Sequence, residues 1–173
     1  MAQAPVSEMT GHRHEPPRNT QFSVFLDQRV GRLLDLVDIF QGQALTVAGL
    51  SVVDSADHAV VRVLTSRGVL ARRLLSRHGL PFSEAEVLAV ELGHGKTLSD
   101  ICRALLAAEL NIHYAYPLIV RPRGLPGIVL HSDDTLLSAQ ILRRKMFTLL
   151  AENDLGDESS RSTPSSPTDP NAE

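Results

Sequence analysis

The chain repeats itself at a fixed distance. Leu33 and Leu98, Asp35 and Asp100, and the triplets Leu45-Thr46-Val47 and Leu110-Asn111-Ile112 all stand 65 positions apart. One offset held through a helix-like stretch and the strand-like stretch after it marks an internal duplication. A duplicated chain has to fold as two similar units, so each half must carry a complete set of elements.

The hydrophobic period supplies that set. In the first half, Phe22 to Leu26 is a short apolar run suited to a strand. Leu33, Leu36, Val37 and Phe40 follow at helical spacing, with Asp35 and Asp38 on another face. Leu45 to Val53 and Ala59 to Leu64 are β-branched stretches joined by the polar turn Asp54 to His58, the pattern of a hairpin. Gly68 to His78 turns Leu70, Leu74 and Leu75 inward and Arg72, Arg73 and Arg77 outward, and Gly79 closes that helix. Pro81 to Glu86 reads as a weaker extended segment. The order then recurs: strand Val87 to Leu92, helix Thr97 to Glu109, strands Ile112 to Val120 and Ile128 to His131 around a Pro- and Gly-rich turn, helix Thr135 to Met146, and strand Phe147 to Leu150.

The expected fold class is therefore α+β, two βαββαβ units in tandem, each an antiparallel sheet with both helices on one face. The bare sheet face and the open edges need covering, and the second unit is the natural cover, with a second copy of the chain as a further one. Each unit, about 65–70 residues long, would be marginal alone. The divisions fall at 21–86 and 87–155. Segments 1–20 and 156–173 are rich in Pro, Ser and charge, bury too little to offset their ordering entropy, and are expected to be disordered tails.

Composition narrows the function. Aromatic residues are 4% of the chain and Trp is missing, so the core must rest on Leu, Val, Ile and Ala. A net charge of −3 gives no field that would hold nucleic acid or an anionic membrane. The single Cys102 excludes an intramolecular disulfide framework and a Cys-only metal site, and among Ile101, Leu105 and Leu106 it reads as a small core residue. The start of the chain has no signal-like apolar run and no stretch reaches membrane-span length, which gives the expectation of a cytoplasmic protein.

Catalytic motifs do not assemble. Gly95-Lys96-Thr97 lies between a strand and a helix, as a phosphate-binding loop would, but the position five residues before Gly95 is Val90 and the loop is too short to wrap two phosphates. Thr97-Leu98-Ser99-Asp100 reads instead as a capping box. Glu84 and Glu86 read as a solvated strand face, and Asp133 and Asp134 as caps for the helix at Thr135. Arg72-Arg73 and Arg143-Arg144-Lys145 read as solvated helix faces without the interleaved aromatics of a nucleic-acid surface. His94, His113 and His131 lack zinc spacing, and His12 and His14 lie in the first tail. No cofactor is implied, and a non-catalytic protein is expected.

What remains is the strand-to-helix loop of each copy. In the first, Gly31 lets the backbone approach a ligand and the helix start favours a carboxylate. In the second, Gly93, His94, Gly95 and Lys96 take that place, and Asn111 stands at the next strand. On residues alone, a tight turn that needs glycine explains both loops equally well.

FLDQRVGRLLDLVDIF resembles the opening of an ACT domain, where an apolar strand leads to a Pro-Gly-Arg-Leu turn and a helix. ALTVAGLSVVDSADHAVVRVL, SEAEVLAVEL, LNIHYAYPLIV and the ending FTLLAENDL resemble tandem ACT proteins, over roughly Gln21 to Leu155. The resemblance implies a ferredoxin-like fold in each unit, regulatory rather than catalytic duty, and amino acids bound at domain or subunit interfaces. It implies ligand-loop residues Gly31 and Arg32 in the first copy, Gly95, Lys96 and Thr97 in the second, and Thr46 and Asn111 at the family's strand-start asparagine. Val30 replaces the usual proline and Thr46 the asparagine, while Asn111 keeps the amide, which favours the second copy as the binding one. The partners implied are a small-molecule amino acid, a second copy in a homodimer, and a metabolic enzyme. The alternative is an interaction module or regulatory subunit that has lost its ligand.

Overall fold

Alternation sets the first strand. β1 (Asn19–Asp27) buries Phe22, Val24 and Leu26 toward the first unit's helices and turns the equally buried Gln21 the other way. The strand starts inside the segment read as a tail, because Asn19 and Thr20 pair with Val87 and Glu86 and the Asn19 amide donates to Leu150 O at 2.9 Å. This computed structural model describes residues 16–54, 58–93 and 95–156. Residues 1–15, 55–57, 94 and 157–173 lie outside the described residues, and with them most of the two segments expected to be disordered, part of the expected turn, and His12, His14 and His94.

The remaining elements follow the expected order except that the strands read at Pro81–Glu86 and Val87–Leu92 are one continuous strand. They are α1 (Arg32–Phe40), β2 (Val47–Asp54), β3 (His58–Thr65), α2 (Gly68–Arg77), β4 (Phe82–Glu91), α3 (Leu98–Leu106), β5 (Ile112–Pro117), β6 (Gly127–Ser132), α4 (Thr135–Arg144) and the two-residue β7 (Leu149–Leu150). On α1 the inward residues are Leu36 and Phe40, while Leu33 and Val37 stay exposed. On α3, Ile101, Ala104 and Leu105 face the core, so Cys102 falls about 100° round the helix and is exposed rather than a core residue.

The seven strands of the described residues make one antiparallel sheet in the order β2-β3-β1-β4-β6-β5, with β7 also on β4. β4 belongs to both units. Its first part, to Val87, pairs with β1; from Leu88 it pairs with β6, and Ala89 and Val90 also pair with β7. Since β6 takes one edge of β4, β1 and β7 must follow each other along the opposite edge. The position between residues 86 and 87 falls inside this continuous strand. Val87 to Val90 are buried on both faces, which is why that stretch reads as an unbroken apolar run. The polar first part keeps a charged role: Arg72 of α2 grips Glu84 through Nε and Nη2, each at 2.6 Å.

The helices of each unit cover one face of its sheet, giving two cores: Phe22, Val63 and Leu75 with their neighbours in the first unit, and Leu88, Ile101 and Leu142 with theirs in the second. The opposite faces pack on each other. Ala48, Leu64, Val87, Ala89, Tyr116, Val129 and Leu150 form a third cluster between the units, so the second unit does cover the first. The sheet curls until its edge strands meet at a single Gly49–Leu118 bridge, with Ile119 N–H donating to Ala48 O at 2.8 Å. Two polar bonds cross the same space: Tyr116 O–H donates to Gln21 Oε1 at 2.8 Å, and the Gln21 amide donates to Tyr114 Oη at 2.9 Å.

Gly49 packs closely against the second unit. A Cβ there would stand 3.0 Å from Tyr116 Cε2 and 3.5 Å from a Val129 methyl. Gly49→Val should therefore cost about 1–3 kcal/mol by overpacking, read as a lower urea midpoint. Gly156→Ala, where nothing lies within 4 Å of the added carbon, should leave the midpoint unchanged.

Candidate functional site

The two strand-to-helix loops are built differently. Gly31 is the N-cap of α1 at φ 92°, a left-handed angle that requires glycine although its surroundings would admit a side chain. No side chain caps this helix. Arg32 begins it, with Nη1 3.2 Å from Asp35 Oδ2 and a buried Nε that has no partner among the described residues. In the second unit Gly95 also has positive φ, 78°. Lys96 Nζ donates to Lys145 O at 2.9 Å and lies 5.1 Å from the centre of the Phe147 ring.

Thr97 caps α3 as its sequence implies. Its Oγ1 accepts from Asp100 N–H, and Asp100 Oδ2 accepts from the Thr97 hydroxyl at 2.7 Å and N–H at 3.0 Å. The Thr97 hydroxyl bond, then its N–H, hold the Asp100 carboxyl below the usual carboxylate range, with smaller help from Arg103 and Lys96.

Thr46 and Asn111 lie elsewhere. Each precedes the second strand of its unit, at the far end of a nine-residue helix that spans roughly 13 Å. Their backbones do the same job in both copies. Thr46 N–H donates to Ser66 Oγ at 2.9 Å while Ser66 N–H donates to Thr46 O. Asn111 N–H donates to Asp133 Oδ2 at 2.9 Å while Asp133 N–H donates to Asn111 O. These reciprocal clasps tie the start of the second strand to the turn before the second helix. The structure thus brings Gly31 to Arg32, and Gly95 to Lys96 and Thr97, but sets Thr46 and Asn111 apart from the loop of their own unit. Of the two carboxylates read as caps, Asp134 alone caps α4, accepting from Leu137 N–H at 2.8 Å. Asp133 instead holds Asn111 and sits 2.9 Å from His113 Nε2.

Behind each loop is a cleft between the unit's first helix and the turn that follows its second. The first, about 760 Å³, is lined by Phe25, Asp27, Arg32, Asp35, Asp38 and His78 among others. The second, about 440 Å³, is lined by Lys96, Asp100, Arg103, Ala104, Lys145 and Phe147 among others. His78 and Arg103 are not evident as wall residues from the sequence, because the walls come from segments some forty positions apart. Applying the 65-residue offset to whole helix faces would have set Asp38 against Arg103. Among the described residues no cluster of three or more His, Cys, Asp or Glu could hold a metal ion, and no helix is long and apolar enough to cross a membrane.

The sequence profile of the ACT domain pair family matches residues 18–158. No curated protein sequence matches the chain. Protein BT0572 from Bacteroides thetaiotaomicron is similar in structure, with a TM-score of 0.70 at 21% identity over 82% of this chain and 97% of that one. The ligand-free regulatory subunit of aspartate kinase from Thermus thermophilus has a TM-score of 0.50 at 7% identity, over 75% of this chain and 93% of that one. Identities this low show a shared fold.

The cap at Thr97 yields a stability test. Thr97→Ala should cost about 1 kcal/mol. Because Asp100 is held below its ordinary value of 3.8, its stabilising contribution is complete above that value and is lost as pH falls through the lower folded value. The gap in urea midpoint between the natural chain and the variant should therefore be wide near neutrality and narrow in strong acid.

Proposed function

We infer that this protein, which belongs to the ACT domain pair family, is a non-catalytic regulatory sensor of a small ligand, and that the ligand is an amino acid. The observation that carries this reading is the first unit's loop and cleft. α1 starts without a side-chain cap at Gly31, beside Arg32 with its unpartnered Nε, and both suit a ligand carboxylate. The adjoining wall supplies Asp27 and Asp38, carboxylates with no ion partner among the described residues, and both suit an ammonium group. A zwitterion needs that combination. Ligand binding would act by favouring one packing of the units over another, with β4 as their common element.

A homodimer fits the exposed apolar residues Leu33, Leu34 and Val37 on α1 and Val52 on β2, which a second copy would cover. The fold shared with an aspartate kinase regulatory subunit supports a second reading, in which the chain serves a metabolic enzyme as a subunit without reading a ligand itself.

Thermal denaturation of the full chain against each common amino acid separates the two readings. The sensor reading expects at least one to raise the midpoint, by about 2.7 kcal/mol of added stability at one hundred times its dissociation constant, and expects Asp38→Asn or Arg32→Ala to weaken affinity roughly tenfold, which about halves the added stability at the same concentration. Stabilisation by none, with a catalytic subunit co-purifying, would favour the subunit reading.

A further inference from the structure

The two clefts are copies of each other with opposite charge. On the first helices, Asp35 and Asp100, Asp38 and Arg103, and Ile39 and Ala104 stand 65 positions apart and line corresponding walls. On the turns after the second helices, His78 and Lys145, and Leu80 and Phe147, stand 67 apart. Those turns close with the same bond: Leu80 N–H donates to Leu75 O at 3.1 Å, and Phe147 N–H to Leu142 O at 2.9 Å. The backbone frame is preserved and the lining has changed. Three carboxylates face one guanidinium in the first cleft, a formal charge of −2 with His78 neutral. Three cations, Lys96, Arg103 and Lys145, face one carboxylate in the second, a formal charge of +2.

That one carboxylate is already engaged. Asp100 Oδ2 holds Thr97, and Oδ1 lies 3.6 Å from Arg103. Among the described residues the second cleft's lining offers no other carboxylate for an ammonium group, and its helix start is closed by its own capping box. It does have a pre-positioned cation. Lys96 is fixed by its bond to Lys145 O over the buried Phe147 ring, so little side-chain freedom remains to be lost on binding.

We propose that the cleft between α3 and the turn after α4 is a second, separate site, which takes a small dianion without an ammonium group, either a dicarboxylate or a phosphate. This goes beyond the amino-acid reading of the first loop and does not depend on it.

Calorimetric titration of the full chain with succinate, with inorganic phosphate and with L-alanine tests the site, and amide chemical shifts locate binding. The expected result is that succinate, phosphate or both bind, with shifts at Gly95 to Asp100 and Lys145 to Phe147, and with affinity falling as salt rises. Arg103→Asp and Lys145→Glu, both at exposed positions, should each weaken binding roughly tenfold or more. Arg77→Glu, the same change of charge outside both clefts, should not. Binding of succinate alone assigns a dicarboxylate, phosphate alone a phosphate group, and both a site that reads charge. The proposal is overturned if neither anion binds, if both cleft variants bind as the natural chain does, or if the shifts fall on the first cleft. Amino-acid binding that survives such a result leaves the sensor reading standing; anion binding without any amino-acid binding does the reverse.

Discussion

β4 is the constraint on which the rest of the structure depends. A single ten-residue strand serves as the last strand of one unit and the first of the next. Its second half is buried on both faces, between the second unit's helices and the first unit's sheet. Withdrawing it would open the edges of β1, β6 and β7 at once. Two units of this size that share a strand have no route to separate folding, since each alone would bury too little surface. Stability and any communication between the loops therefore pass through the same residues.

The curl of the sheet follows from that sharing. With both units hung on one strand, their bare faces can close on each other only if the outer strands come together, and they meet at Gly49 and Leu118. Gln21, Tyr114 and Tyr116 bring polar groups into this space, and each finds a partner there. Burial, aided by neighbouring Tyr114 and opposed by Arg62, pushes the Tyr116 hydroxyl above its ordinary range, so it remains a donor to Gln21. Such bonds hold one register where an all-apolar contact would tolerate sliding.

Element order and duplication were legible because hydrophobic period is a local property, and Phe22 to Leu26 or Leu98 to Leu105 carry it within a few residues. The continuity of β4 was not. Ser83, Glu84 and Glu86 make its exposed start look unlike its buried end, although both belong to one ladder. Cys102 and Asp133 show the same limit: apolar neighbours do not reveal which side of α3 a residue takes, and two adjacent aspartates do not reveal that one is held by Asn111. The offset aligned Thr46 with Asn111 correctly, yet their common task is a backbone clasp that side-chain identity does not announce. The charge contrast between the clefts needed the second helices as well as the first, because part of each lining comes from the turns at His78 and Lys145.

The sensor account joins a ligand loop to a shared strand, and hydrogen exchange reads both at once. The full chain should be compared with and without a saturating, stabilising amino acid. The account predicts slower exchange around Gly31 to Asp35 and also in the part of β4 beyond Val87, inside the second unit. Exchange that is unchanged for every amino acid, or slowed at the first loop while β4 keeps its original rates, would contradict it.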